Sequence, residues 1–212
     1  RKKKKLRLVG WMKKYFVEIS AAVFVVIYFV VSMKSSLNIG IRHILPTLPF
    51  IYILVARVVG PVGGWKKVVV FGLMGWMVLG TIFSAPNFLS YYNLLAGGSK
   101  GGYKIALDSN YDWGQDLKRL ASFVEKNQIG KINVDYFGGG EPKYYLGDHY
   151  QRWWEGRPRE SGWFAISANL LYGVHSFADT KSVQKLEERY AWLKSYQPVA
   201  RAGESIFIYH VL

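Results

Sequence analysis

The 212-residue chain contains no cysteine. This excludes disulfide bonds, thiolate metal sites, CxxC redox chemistry and cysteine nucleophiles. HExxH and Walker motifs are also missing, so the sequence lacks the usual local signatures of zinc proteolysis and nucleotide binding. We therefore expect no catalytic residue within this chain. No cofactor is implied, and the residues leave open whether a divalent metal takes part.

Acidic residues are almost absent from the first 84 residues, which hold 13 Lys/Arg and only Glu18. Residues 85–212 hold 15 Lys/Arg and 13 Asp/Glu, so most of the net charge of +14 belongs to the first part. Glu18 follows Lys14 by one helical turn, which predicts an interfacial ion pair, with a functional intramembrane acid as the alternative. Because the chain begins at Arg1 inside a basic run, we interpret it as a C-terminal fragment of a longer protein.

Three apolar stretches in residues 1–86 predict transmembrane helices at about 15–33, 42–60 and 68–86. Eight Lys/Arg precede the first stretch, and the positive-inside rule then puts the N-terminus and the 57–67 loop in the cytoplasm. The same rule puts everything after the third span outside. We expect a multi-pass protein of the cytoplasmic membrane with an extracytoplasmic C-terminal domain.

The start of the second span combines prolines with two basic side chains. Pro46 and Pro49 predict a shaped helix entrance, because proline kinks a helix beyond its first turn. Arg42 and His43 stand just outside the apolar stretch. The Arg42 guanidinium could pair with a lipid phosphate, or it could be an ordinary snorkelling end-cap, and the sequence favours neither.

Residues 87–102 predict an amphipathic interfacial helix, with aromatic side chains at headgroup level, followed by a flexible glycine-rich joint at 97–102. Residues 103–212 predict a small extracytoplasmic α/β domain. The expected strands are 103–107, 131–137, 163–168 and 205–211, and the expected helices are 112–128 and 180–195. This order of elements predicts a layered α/β domain with a mostly parallel sheet.

The segment DSNYDWGQD at residues 108–116 is the most distinctive motif outside the apolar stretches. It spaces oxygen ligands like a calcium loop, but Trp113 stands where the loop needs glycine and Arg119 where it needs glutamate. Asp112 and Gln115 have the spacing of a helix capping box. A third interpretation is recognition of a sugar or its phosphate, with Trp113 as a stacking surface.

Two short runs combine arginines with indoles or prolines, Arg152-Trp153-Trp154 and Arg157-Pro158-Arg159. Such a cluster could bind a sugar, a lipid headgroup or single-stranded nucleic acid. The expected extracytoplasmic location argues against nucleic acid as a partner.

The stretches LNIGIRHILPTLPF, APNFLSYYNLLAGGSKGGYKIALDSNYDWGQDLKRLA, DYFGGGEPKYYLG and WFAISANLLYGV carry a family resemblance. They resemble the C-terminal region of bacterial membrane glycosyltransferases of the protein O-mannosyltransferase-like family (glycosyltransferase family 39, GT-C superfamily). The resemblance continues through the closing stretch YAWLKSYQPVARAGESIFIYHV and covers residues 34–212. The segment DSNYDWGQDL is fairly specific, whereas the hydrophobic spans are not.

The resemblance implies an enzyme that moves a sugar from a polyprenyl-phosphate carrier to an acceptor on the outer face of the membrane. The family's catalytic carboxylate lies in an earlier loop, and Arg42 and His43 would contact the carrier phosphate. The expected partners are the lipid bilayer and the polyprenyl-phosphate-linked sugar, with the acceptor unidentified. The substrate-binding residues expected altogether are Arg42, His43, Tyr91, Tyr92, Asn93, Asp108, Asn110, Asp112, Trp113, Gln115 and Asp116.

The alternative function is a membrane-anchored, non-catalytic module that binds a glycan or a protein partner. Sequence preceding this chain in the native gene would distinguish the two, because the enzyme needs about eight further spans and an acidic first outer loop. A transporter fragment is a weaker alternative, because the spans carry no chain of polar residues apart from Glu18.

Overall fold

The computed structural model describes residues 10–35, 40–60, 63–107, 110–154, 156–173 and 190–212. These form two compact units, Arg1–Val78 and Leu79–Leu212, and each is described by itself. The α-helices are α1 (Phe16–Lys34), α2 (Leu48–Val59), α3 (Trp65–Ser84), α4 (Gly98–Gly101), α5 (Leu117–Lys126), α6 (Pro142–Leu146) and α7 (Ala168–Tyr172). The strands are β1 (Ile132–Asp135), β2 (Tyr150–Arg152), β3 (Gly162–Ser167), β4 (Ala200–Ala202) and β5 (Ile206–Val211).

Among the residues that the structure describes, three helical stretches are long and apolar enough to cross a membrane, namely Phe16–Lys34, Ile41–Val59 and Trp65–Ser84. They lie close to the three stretches that the sequence predicts. Their apolar side chains point outward, and Met77 and Phe83 are 68% and 73% exposed. Such surfaces are stable where hydrocarbon replaces water.

The second span has the shaped entrance that its prolines predict. Residues Gly40–Thr47 form a 3-10 helix containing Pro46, and the α-helix begins only at Leu48 with Pro49 in its first turn. Proline has no N–H to donate, so the tighter winding before Leu48 and the first α-helical turn accommodate it. The buried Thr47 hydroxyl donates to the Ile44 carbonyl at 2.6 Å and closes this turn.

Glu18 forms its ion pair across two helices rather than along one. Its Oε1 lies 2.8 Å from Nε of Arg57, while the expected partner Lys14 lies over the ring of Tyr15. Sequence spacing predicts only neighbours on the same helix, which is why this pair was missed. The contact brings the start of α1 to the end of α2.

The unit Leu79–Leu212 is built on a five-stranded sheet in the order β2-β1-β3-β5-β4. The pairs β1–β2 and β1–β3 are parallel, whereas β3–β5 and β4–β5 are antiparallel. The sheet is therefore mixed, and the expectation of a mostly parallel sheet is not confirmed. The reason is that β5 runs antiparallel to both of its neighbours, β3 and β4. The three-residue β4 also carries too little apolar pattern to be recognised in the sequence.

Several elements predicted from the sequence have a different secondary structure or different bounds in the structure. Residues 103–107 are not a strand: a 3-10 turn covers Gly102–Lys104, and Ile105 is exposed. The predicted helix at 112–128 begins only at Leu117. Of the helix expected at 180–195, residues 180–189 lie outside the described part of the chain, and Ala191–Ser195 form a 3-10 helix.

The segment expected to be an interfacial helix and a flexible joint is packed against the domain. Phe88–Ser90 and Leu94–Ala96 are single 3-10 turns, and α4 occupies the glycine-rich stretch. Gly102 lies directly under the ring of Tyr92, where any side chain would overlap that ring. Glycine is needed here for close approach, so the stretch is part of the folded unit and not a loose linker.

The sheet is covered on both faces. On one face α5 packs its side chains Leu120 and Val124 against Ile132, Ile206 and Ile208. The alternate positions of β5, Phe207 and Tyr209, face a second cluster on the other side. Because the central strands are buried on both faces, their sequences are nearly continuous apolar runs.

Candidate functional site

The turn between β4 and β5 is held by the last acid of the 108–116 segment. Asp116 is fully buried, and its Oδ2 accepts from the N–H groups of Glu204 and Ser205 at 3.0 Å and from the Ser205 hydroxyl at 2.9 Å. Arg119, one turn later on α5, pairs with the other oxygen of Asp116. Gly203 completes the turn at φ +58, where a side chain would overlap the Asp116 carboxylate.

Tyr111, in the same segment, supports the turn from the other side. It is buried, and its hydroxyl lies 3.0 Å from the Glu204 carbonyl and 2.8 Å from the Ser99 carbonyl. Arg201 stacks on the Phe207 ring at 4.3 Å and donates to the Lys100 carbonyl at 2.9 Å. These contacts fix the position of Glu204 and join it to the glycine-rich stretch.

The Glu204 side chain faces a pocket of about 190 Å³ at the end of α3. The pocket is small compared with typical drug-sized ligand sites, at ~300 Å³ or more. Its lining residues come from the end of α3 and the turns that follow it, together with the β4–β5 turn. They are Phe83, Ser84, Asn87, Tyr92, Leu94, Gly97, Gly98, Ser99, Lys100 and Glu204.

The polar side chains around this pocket make few hydrogen bonds among the described residues. The Glu204 carboxylate accepts a long hydrogen bond from Asn87 Nδ2 at 3.5 Å and lies 3.6 Å from Nη1 of Arg201. Burial raises the pKa of the Glu204 carboxyl, and the nearby cation of Arg201 acts in the opposite direction. Asn87 Oδ1 and the Ser99 hydroxyl are buried with no hydrogen-bond partner among the described residues.

Asp112 is a buried carboxyl rather than the helix cap that its spacing predicts. Its Oδ1 accepts from the Gly114 N–H at 2.9 Å. Burial raises the pKa of Asp112 to about 6 from its ordinary 3.8, and the Gly114 hydrogen bond opposes this rise. The residue flanking α5 is Asp116, so the predicted capping box is wrong.

We expect Asp112 to make the stability of the protein fall as pH rises. Below about pH 4 it is protonated in both the folded and unfolded states, and between pH 4 and 6 the unfolded state loses its proton first. Above pH 6 the full cost is about 3 kcal/mol. Thermal unfolding of wild type and Asp112→Asn should show wild type gaining stability relative to the variant from pH 7 to pH 4.

The exposed Asp148→Asn variant is the matched control for this pH series. It should unfold with the same pH dependence as wild type. A constant difference in Tm between wild type and Asp112→Asn from pH 4 to 7 would show that Asp112 has an ordinary pKa.

The other residues of the 108–116 segment have mixed roles. Gln115 donates to the Ser90 hydroxyl at 3.0 Å and accepts from the Trp113 N–H at 2.7 Å, which ties the segment to the turn after α3. Asn110 donates to the Leu107 carbonyl at 3.2 Å, as a turn residue does. Trp113 is 48% exposed. Asp108 lies outside the described residues.

Of the three aromatic and amide residues expected at the membrane surface, only Tyr92 lines the pocket. It is half-buried, and its hydroxyl donates to the Ala106 carbonyl at 2.7 Å. Tyr91 is exposed, and Asn93 accepts from the Ala96 N–H within a local turn. The structure therefore brings Tyr92 to the pocket and gives Asn93 a local structural role.

Arg42 and His43 belong to the other unit, in the 3-10 helix that opens the second span. Arg42 is exposed and His43 is half-buried. Both residues lie at the start of the candidate span Ile41–Val59. Neither residue belongs to the pocket beside Glu204.

Sequence reasoning missed five polar residues that line the pocket, namely Ser84, Asn87, Ser99, Lys100 and Glu204. Only Asn87 carried a usable signal, because it is an amide within three residues of the end of an apolar span. Glu204 lies 88 residues beyond Asp116, and only the folded hairpin brings the two together.

The cluster of arginines and tryptophans that the sequence suggests as a binding surface is partly buried in the core. Trp153 is buried against Phe164, with ring centroids 5.2 Å apart, whereas Trp154 is 48% exposed beneath Arg157 at 4.9 Å. Among the described residues, no three His, Asp or Glu side chains converge as potential metal ligands.

Comparisons with known proteins found no relative of this chain. No family model, no curated protein and no solved structure matches the chain.

Proposed function

We propose that the chain is the C-terminal part of an integral membrane glycosyltransferase that takes its sugar from a polyprenyl-phosphate carrier. The observation that carries this proposal is the polar pocket at the end of α3, a helix apolar enough to span a bilayer. A lipid-linked sugar needs hydrocarbon for its tail and a polar cleft for its head. The last residues of α3, Leu79–Ser84, belong to the same unit as the pocket and carry apolar side chains.

The chemistry of such a transfer assigns a role to the basic residues at the second span. An acceptor hydroxyl attacks the anomeric carbon and gives its proton to the catalytic carboxylate. The bond from that carbon to the carrier phosphate breaks, and negative charge develops on the departing phosphate. Fixed cations stabilise this charge. We assign Arg42 and His43 to the carrier phosphate, and we place the catalytic carboxylate outside these 212 residues.

The second candidate function is a non-catalytic glycan-binding module on a membrane anchor. The pocket favours it in one respect, because its described groups include binding atoms but no paired nucleophile and base. Both functions share the pocket and differ in whether a bond is broken.

A transfer assay separates the two candidates. The full-length native protein, in liposomes, receives a polyprenyl-phosphate sugar that is radiolabelled in the sugar, together with a membrane extract as the source of acceptor. The enzyme moves label from the organic phase into the acceptor fraction. Label that stays on the carrier, although the protein binds it, supports the non-catalytic module.

The proposed orientation puts the N-terminus in the cytoplasm and the α/β unit outside. Because the chain has no native cysteine, single cysteines can report each side without background. We expect Ser122→Cys, on the exposed surface of α5, to react in intact cells with an impermeant maleimide. Gly63→Cys, between the second and third spans, should react only after the cells are opened. The reverse pattern would overturn the orientation.

A further inference from the structure

The turns that follow α3 expose apolar side chains that the α/β unit leaves uncovered. Five large side chains within residues 88–95 are between 43% and 90% exposed. They are Phe88, Leu89, Tyr91, Leu94 and Leu95, and we call them the apolar collar. The ten described residues of α5, by contrast, expose no large apolar side chain. A concentration of exposed apolar side chains marks a surface that another medium or molecule covers.

The collar begins beside α3 and not beyond it. The Tyr91 hydroxyl lies 3.4 Å from the position that a Cβ atom on Gly80 would take. Gly80 precedes the end of α3 at Ser84 by about 6 Å along the helix axis, so Tyr91 reaches back to the last two helical turns. Phe83, in the last turn, lines the same pocket as Leu94. The collar therefore lies next to the end of this helix.

The end of α3 is also the end of a helix that is long and apolar enough to span a bilayer. Leu79 and Ile82, in its last two turns, are 51% and 60% exposed, so the α/β unit leaves this part of the helix open. The end of a spanning helix lies at the boundary between acyl chains and headgroups, where tyrosine is enriched. Tyr91 therefore shares the depth of this boundary with the last turns of α3.

The charges around the collar favour lipid as the medium that covers it. Residues 85–107 contain two lysines and no acid, and both Lys100 and Lys104 are exposed. Beside a phospholipid surface, leucine and phenylalanine enter the acyl region while ammonium groups meet the phosphates. The cores of protein interfaces are instead depleted in lysine. A protein partner is therefore the less suitable occupant.

We propose that the apolar collar inserts into the headgroup boundary of the bilayer around the end of α3. The α/β unit is then attached to the membrane by its own surface as well as by the helix. Interfacial segments of this kind bury their apolar side chains by about 5–10 Å. The inference shares with the proposed function only the requirement that α3 crosses a bilayer. It depends neither on sugar transfer nor on the side of the membrane that carries the unit.

The collar is held on the α/β unit by inward-pointing side chains. Ser90 donates to the Tyr111 carbonyl at 2.9 Å, and Tyr92 donates to the Ala106 carbonyl at 2.7 Å. Gly102 lies directly under the Tyr92 ring. Two 3-10 turns thus take the place of the interfacial helix that the sequence predicts. Because these turns are tied to the folded unit, insertion of the collar fixes which edge of the sheet faces the bilayer.

That edge is the one with the β4–β5 turn. Asn87, which precedes the collar, donates to Glu204 in this turn at 3.5 Å. Leu212 follows the opposite end of β5, about 20 Å away along the strand. It is 95% exposed, much as Leu95 is 90% exposed, so the two leucines form a matched pair.

Single-cysteine fluorescence in liposomes tests the proposal on the purified chain. Because the chain has no native cysteine, one environment-sensitive dye (NBD) can be attached at each position in turn. Leu89→Cys and Leu95→Cys report on the collar, and Leu73→Cys reports on the middle of α3. Leu212→Cys is the matched control. The quenchers are phosphatidylcholines with a nitroxide near the glycerol backbone (shallow) or near the end of the acyl chain (deep).

We expect the dyes at Leu89→Cys and Leu95→Cys to emit at shorter wavelength than the dye at Leu212→Cys. They should lose several times more emission to the shallow nitroxide than Leu212→Cys does, and more to the shallow than to the deep one. Leu73→Cys should show the reverse preference, for the deep nitroxide, because it lies within the apolar span.

Three results would refute the inference. Quenching at Leu73→Cys but at neither collar position would leave α3 in the bilayer and the collar outside it. Emission at short wavelength that neither nitroxide quenches would show that protein covers the collar. Equal quenching at Leu95→Cys and Leu212→Cys would show that the dye meets lipid wherever it is attached. Failure of the proposed function is distinguishable, because an absence of quenching at Leu73→Cys would also remove the membrane span, whereas loss of transfer activity alone leaves this readout unchanged.

Discussion

Replacing Asp116 by alanine is expected to lower the free energy of unfolding of the α/β unit by about 3–5 kcal/mol. The substitution leaves the N–H groups of Glu204 and Ser205 without their acceptor and the Arg119 guanidinium without its carboxylate. Domains of this size are stable by only about 5–15 kcal/mol, so the loss is a large fraction of the whole.

Thermal unfolding of the purified chain in detergent measures this effect. A loss of this size should lower Tm by about 10 °C or more. Lys118→Ala, an exposed neighbour on α5, should change Tm little, and Asp116→Asn should be intermediate because it keeps one acceptor oxygen. If Asp116→Ala unfolds at the temperature of Lys118→Ala, the acid does not hold the β4–β5 turn.

Replacing Arg42 by alanine should lower transfer from the lipid carrier by one to three orders of magnitude in the full-length enzyme. This corresponds to about 1.4–4 kcal/mol for the loss of one cation beside a developing phosphate charge. Arg42→Lys should recover only part of the rate, because an ammonium group lacks the bidentate fork of the guanidinium.

The quantity to compare is kcat/KM for the polyprenyl-phosphate sugar, with expression and Tm checked for each variant. Lys66→Ala is the matched control, because Lys66 is also an exposed cation near the end of an apolar span. It should be as active as wild type. Full activity of well-folded Arg42→Ala would reduce Arg42 to an interface anchor.

Sequence-based prediction succeeded for the elements whose apolar pattern alone determines their structure. The three long apolar helices were predicted because few stretches of this length avoid charge unless they lie in hydrocarbon. The strands β1, β3 and β5 were predicted for a similar reason, because their side chains are buried by α5 on one face and by an aromatic cluster on the other.

Sequence-based prediction failed where contacts between residues far apart in the chain determine the structure. Asp112 and Gln115 have the spacing of a helix cap, but the burial of Asp112 and the hydrogen bond from Gln115 to Ser90 override that local preference. The role of Asp116 depends on a turn 88 residues away, and no local pattern reveals it. Strands β2 and β4, three residues each, lie below the length at which alternation can be recognised.

Photo-crosslinking with a polyprenyl-phosphate sugar tests the central claim most directly. The probe carries a diazirine on the isoprene unit next to the phosphate, and mass spectrometry identifies the labelled peptides of the chain in liposomes. We predict labelling of the segment Gly40–Thr47, which contains Arg42 and His43. An excess of unlabelled polyprenyl-phosphate sugar should prevent it, while the same concentration of free polyprenol should not. Labelling spread evenly over the apolar helices and unaffected by the competitor would contradict a site for the carrier in this chain.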